Sequence, residues 1–142
     1  MKKYLMVSFI FVCLLILSGC FYKKQTLTCE RSENTMKVST GFLYVNDKPT
    51  GMNLVYELDL SQYNDIQIEA VGKQDFCNTL KTSLTQYGDA FNNCRQEIVN
   101  KKLFVRTDIE ISKLSVGVQD SMTTLENAKK SMESASYTCT VK

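Results

Sequence analysis

The sequence contains no histidine and a single proline, Pro49. Without an imidazole, the Ser-His-Asp and Cys-His arrangements that activate a nucleophile cannot be assembled within this chain. Any zinc site would have to be built from cysteine thiolates alone. No serine stands three residues before a lysine, and the sequence carries neither a glycine-rich phosphate loop, nor G-x-G-x-x-G, nor an EF-hand loop. These absences exclude the common catalytic classes, so the chain reads as a non-enzyme that needs no cofactor. One proline and no Ser/Gly/Pro-rich or repetitive stretch leave no room for an inter-domain linker.

What the chain does have begins at its first residues. Met1-Lys2-Lys3 precedes an uncharged run from Tyr4 to Gly19, whose 16 residues fall short of the ~20 that span a bilayer. A positive start followed by a short apolar run is the layout of a secretory signal. In place of an A-x-A cleavage site stands Leu17-Ser18-Gly19-Cys20, which resembles the lipobox of bacterial lipoproteins. That resemblance implies a diacylglyceryl group on the sulfur of Cys20, cleavage just before it, and often an acyl chain such as palmitate on the new amino terminus. Two chains suffice for durable attachment where one does not. The expected division is a cleaved signal peptide over 1–19, a lipidated tether over 20–26 and an extracytoplasmic domain over 27–142. The protein would then sit at the cell membrane, lipid-anchored and facing outside the cytoplasm.

Cleavage alters the charge balance. Of 142 residues, 19 are lost and 123 remain, a normal size for one domain. Of 17 Lys+Arg, two leave with the signal, so 15 face 15 Asp+Glu and the mature chain is formally neutral. It has no overall field to recruit nucleic acid. Lys23 and Lys24 lie close enough to the anchor to touch anionic headgroups, at ~1 kcal/mol each, or equally to serve as a solvated tether.

Periodicity outlines an α+β domain. Strands are expected over 26–32 and 35–45, the second with Met36, Val38, Phe42 and Tyr44 on one side. The stretch "NDKPTG" has the composition of a loop. A third strand alternates Met52, Leu54, Tyr56, Leu58 and Leu60 with mostly polar partners. Between Ser61 and Tyr87, the residues Tyr63, Ile66, Ala70, Cys77, Leu80, Leu84 and Tyr87 draw one helical stripe. Asn64 and Gln67 suit a cap, Gly72 a weak point and Gly88 the helix end. A fourth strand begins near Cys94, and a fifth covers 103–111 with Leu103, Val105, Ile109 and Ile111 inward. A second helix starts at Thr123, capped with Glu126, and carries Met122, Leu125, Ala128 or Lys129, and Met132. "SYTCTVK" closes the chain as a sixth strand. The sum is a single domain in the order βββ-α-ββ-α-β, an antiparallel sheet with helices on one face.

Cys13 falls in the signal and Cys20 carries lipid, leaving four cysteines. In an exported domain these suit two disulfides, with three connectivities open. Cys29 with Cys139 is favoured because both lie mid-strand at opposite ends of the domain, and Cys77 then pairs with Cys94. Separations of 48, 17 and 45 positions lack the paired spacing of a zinc site, so no metal is assigned to them. The one acidic constellation is Glu57 and Asp59 with Asp108 and Glu110, which would gather around a hard cation such as Ca²⁺ if their strands are neighbours. Its plain reading is a solvated sheet face. In "YGDAFNNC", Tyr87 and Phe91 suit either a contact surface or a lid on the core.

The lipobox, "TLTCER", "DFCNTL", "YGDAFNNC" and "AKKSMESASYTCTVK" together resemble the YehR-like small bacterial lipoproteins. The resemblance implies a small membrane-anchored domain of uncharacterised function, with no catalytic residues to carry over. The expected role is a non-enzymatic binding or interaction module, its partners the membrane through Cys20 and a protein of the cell envelope. The alternative is a small ligand- or cation-binding accessory lipoprotein of a transport system.

Overall fold

A computed structural model describes residues 23–142; the expected signal peptide and Cys20 lie outside the described residues. Its elements are β1 (Lys24–Glu33), β2 (Met36–Val45), β3 (Lys48–Asp59), α1 (Asp65–Gly72), α2 (Phe76–Ser83), β4 (Phe91–Val99), β5 (Lys102–Ile109), α3 (Val116–Ser121), α4 (Leu125–Ser134) and β6 (Thr138–Val141). The strands form one antiparallel sheet in the order β4-β5-β3-β2-β1-β6. The α+β reading and its single helical layer hold, but each expected helix is a pair of short ones. No described helix is long and apolar enough to cross a membrane.

Asparagine-led turns set the register. Asn34 after β1, Asn46-Asp47 between β2 and β3, and Asn100-Lys101 between β4 and β5 all take φ between 50° and 61°. This left-handed backbone matches the twist of two-residue hairpins and is most tolerable for asparagine and aspartate among residues with a Cβ. The loop expected over 46–51 shrinks to Asn46-Asp47, because β3 already begins at Lys48. Pro49 fits there because β5 pairs with β3 only from Met52 onward, and a bulge opposite Leu43 and Tyr44 absorbs the extra residue. The first strand likewise starts early. Lys24 to Thr26, expected as tether, are strand, and Thr26 exchanges two 2.9 Å backbone hydrogen bonds with Lys142.

Alternation buries one face of the sheet. Leu27 and Cys29 of β1, Phe42 and Tyr44 of β2, Met52 and Leu54 of β3, and Val105 and Ile109 of β5 are all buried there. Over part of this face, α4 adds buried Ala128 and the turn between α3 and α4 adds buried Met122, with Leu125 and Met132 packed alongside, as the last helix was expected to do. The buried Tyr44 hydroxyl donates to the carbonyls of Met122 (2.9 Å) and Thr124 (3.3 Å), tying β2 to the turn between these helices. Burial pushes its pKa up to about 12. The cap of α4 is Thr124 rather than Thr123: its hydroxyl accepts from the Asn127 N–H at 3.2 Å, and Thr123 instead accepts from the Asn127 side chain.

Over the other part of the face lie α1 and α2. Asn64 and Gln67 form the expected capping box, each side chain accepting at 3.0 Å from the other's backbone N–H. The continuous stripe from Ser61 to Tyr87 does not form. The helix stops at Gly72 and restarts behind an Asp75 cap, which resets its phase. Ile66 (80% exposed) and Tyr63 therefore face solvent, while Ile68 and Val71 turn inward. Gly72 lets α1 approach β4 closely, since a Cβ there would sit 3.3 Å from the Ile98 side chain. Gly88 does take a left-handed φ of 49°, within a 3-10 turn over Thr85–Ala90 rather than at a helix end.

The disulfides are Cys29–Cys139 and Cys77–Cys94, the favoured pairing. The first joins directly opposed residues of β1 and β6. The second fastens α2 to β4, where a bulge between Asn92 and Arg95 accommodates Cys94.

Candidate functional site

The four carboxylates singled out as a cation site are not brought together. Although β3 and β5 are neighbours, their antiparallel register sets Glu57 opposite Phe104, Asp59 opposite Lys102 and Asp108 opposite Asn53. Glu57 and Asp108 are thus four residues apart along the strands, on the order of 13 Å. Each acid already has a neighbour to satisfy it. Glu57 pairs with Lys102, Asp108 accepts from the Asn93 side chain, and Glu110, past the end of β5, pairs with Lys113 at 2.8 Å. The backbone N–H of Ser61 at 2.8 Å holds Asp59 below the usual carboxylate range, and the hydrogen bond from Lys113 does the same for Glu110. Among the described residues no three or more metal-ligating side chains cluster. This outer face is a mixed-charge surface on which Arg106 pairs with Glu97 and stacks 4.7 Å above the Phe104 ring.

The inner face holds the more distinctive feature. Its buried residues fall into two groups, one beneath α3 and α4, the other a smaller set of Leu60, Leu103 and Val105 beneath α1 and α2. Between them the roof is incomplete, leaving an apolar cleft of about 280 Å³. Its floor is Met36 of β2, Tyr56 and Leu58 of β3, and Leu103 and Val105 of β5. Its wall is Phe76, Thr79, Leu80 and Ser83 of α2, with Leu84 beyond. Small-molecule sites commonly run from about 300 Å³ upward, so this cleft lies at the small end of that class.

The local sequence explains why the wall stands where it does. Asp75 caps α2 by accepting from Asn78, and Gln96 of β4 accepts from the Phe76 N–H at 2.8 Å and donates to the Gln74 carbonyl at 2.6 Å. Together with Cys77–Cys94, these contacts hold α2 on the β4 edge rather than over the centre of the sheet. Tyr87 and Phe91, edge to face with centroids 5.8 Å apart, continue the wall toward the other helices. Both are half-buried, the position of a core lid, and Tyr87 packs against the larger group.

The cleft lining carries no carboxylate, amine or thiol. Burial, with Tyr137 and Tyr87 nearby, raises the pKa of Tyr56 above the usual tyrosine value. The arrangement can hold an apolar group and offer it hydroxyls; it supplies no base or nucleophile beyond them. Met36, Tyr56, Leu58, Leu80, Leu84, Leu103 and Val105 were all legible as inward positions. Phe76, Thr79 and Ser83 were not singled out, and nothing in the sequence signals that the space between these residues stays open.

No family model and no curated protein matches the chain. Among solved structures, the NMR structure of the Escherichia coli YehR protein superposes with a TM-score of 0.55 at 13% identity, over 84% of this chain and 92% of that one. The NMR structure of a protein from Streptococcus pneumoniae gives a TM-score of 0.49 at 9% identity, covering 87% of each. The chain has a YehR-like fold.

Proposed function

We propose that this chain is a bacterial lipoprotein, anchored in the cell membrane through Cys20, whose extracytoplasmic domain is a non-enzymatic binding module with the inner-face cleft as its binding surface. The observation that carries the reading is the cleft: an open apolar floor in a small domain that otherwise covers its core. Two disulfides suit an oxidising compartment outside the cytoplasm. The transport-accessory alternative survives for a small ligand, which would use the same cleft. As a cation carrier it relied on carboxylates that the register separates.

The anchor would orient the cleft. Lys23, three residues past Cys20, accepts from the Asn46 N–H at 2.8 Å and donates to its side chain at 3.1 Å, so an anchor at Cys20 would keep this end of the sheet near the membrane. Met36 and Leu58 stand at the opposite end of β2 and β3, about ten residues or ~30 Å along the strands. The cleft then faces the aqueous side.

Two measurements test the proposal. Mass spectrometry of the amino terminus should find residues 1–19 gone and diacylglyceryl on Cys20; Met1 retained, or a free thiol at Cys20, would sink the anchor. The full chain extracted gently from membranes should co-purify with a defined molecule, and Leu80→Arg, which fills the cleft, should abolish recovery. Equal recovery with the variant would place binding elsewhere.

A further inference from the structure

The cleft changes character from one side to the other. At the end of the sheet away from Lys23, the register lines up two inner-face rows: Glu33, Met36, Leu58 and Leu103 in one, and Arg31, Val38, Tyr56 and Val105 in the next. Each row runs from a charged residue on β1 to an aliphatic residue on β5, across three strand spacings or ~14 Å. Over the aliphatic side, α2 lays Leu80. On the charged side a second recess of about 180 Å³ shares Met36 and Tyr56 with the cleft and adds Arg31, Glu33, Val38 and Tyr137.

Arg31 and Glu33 differ in how firmly they are held. The Arg31 guanidinium donates to the Ala135 carbonyl at 3.3 Å, which fixes it beside Tyr137, whereas Glu33 is the last residue of β1 and stands at the rim. The two side chains form an ion pair about half exposed to solvent. Such a pair contributes little, so an incoming carboxylate can replace Glu33 on Arg31 while Glu33 turns into water.

We propose that the two recesses form one site for a medium-chain carboxylate amphiphile, its tail between α2 and the β3–β5 floor and its carboxylate on Arg31. This rests on the cleft being the binding surface. Because that surface would face away from the bilayer, the ligand arrives from the aqueous side, which suits a chain short enough to dissolve.

The test uses the full chain in lipid nanodiscs and three probes carrying a photoreactive diazirine near the tail end: dodecanoate, dodecanol and dodecylamine. Dodecanoate should label the Leu80–Leu84 segment and be displaced by unlabelled dodecanoate. Arg31→Gln should raise its half-maximal concentration roughly 10-fold or more while leaving dodecanol unchanged. Arg31→Lys, which keeps the charge but not the forked geometry, should fall between. Amine labelling as strong as acid labelling, or an unchanged acid concentration in Arg31→Gln, overturns the carboxylate assignment and leaves the cleft as a binding surface. Failure of all three probes to label the cleft overturns both.

Discussion

The two helix pairs cover the same sheet with unequal success. The pair formed by α3 and α4 seals its share: Met122 and Ala128 are buried, and the Tyr44 hydroxyl reaches up from the floor to bind the turn between them. The pair formed by α1 and α2 contributes no buried residue of its own and depends on a disulfide and on Gln96 to stay in place. A roof packed by side chains closes, while a roof fastened at its edge leaves a gap. That gap is the cleft, so the weaker half of the fold is the half with a surface to offer.

The contrast can be broken at graded points. Replacing both Cys29 and Cys139 with alanine opens a closure spanning 110 residues and should cost ~5 kcal/mol in the chain-entropy account, against ~3 kcal/mol for Cys77 with Cys94, 17 residues apart. Urea melts followed by circular dichroism would rank them, and the reverse order would mean that the α1–α2 roof leans on its staple more than loop length implies. Phe42→Ala, in the sealed half, should cost about 3–5 kcal/mol, whereas Leu80→Ala on the cleft wall should cost only ~1 kcal/mol. Equal losses would mean that the cleft is closed in solution.

Tyr44→Phe should cost about 1–2 kcal/mol by leaving the Met122 carbonyl without the hydroxyl donor, while the Thr124 carbonyl keeps the Ala128 N–H at 3.0 Å. It also carries a pH signature. Because the folded pKa is about 12 and the ordinary value is ~10, the unfolded chain releases this proton first as pH rises. The stabilisation is complete below pH ~10 and is lost on the way to 12, so melting curves should decline over that window, less steeply in the variant. The smallest effect is expected at Ile66, where glutamate should change stability by no more than ~0.5 kcal/mol, since the side chain is 80% exposed. A loss of several kcal/mol would put Ile66 under a roof after all.

Legibility in the sequence followed the reach of each pattern. Strand faces were readable because a period of two persists through Val38, Thr40, Phe42 and Tyr44 whatever the neighbours are. The disulfide pairing, open among three connectivities, was favoured on the strand positions of Cys29 and Cys139, and the bonds seen are that pairing. The helical stripe failed at Ile66 because a cap at Asp75 restarts the count, and Thr123 lost the capping role because Thr124 offered an equivalent hydroxyl one residue on. The acidic cluster failed for another reason: neighbouring strands were foreseen as a condition, but their register was not, and register decides which residues meet. The cleft was illegible in principle. Met36, Tyr56 and Leu58 carry the same apolar pattern as Leu54 and Ile109, and only the placement of α2, decided far along the chain, determines which of them stay uncovered.

The pairing of β1 also bears on mechanical load. This strand lies between β2, with ten paired residues, and β6, with four, and Cys29–Cys139 bridges it covalently to the latter. In the proposed lipoprotein, tension from the bilayer would enter at Lys24 and run along the strand axis. The hydrogen bonds on both flanks would then be sheared together rather than unzipped singly, with a covalent link among them. A cell-surface domain hung by such a strand would resist being pulled apart at the point where its membrane holds it.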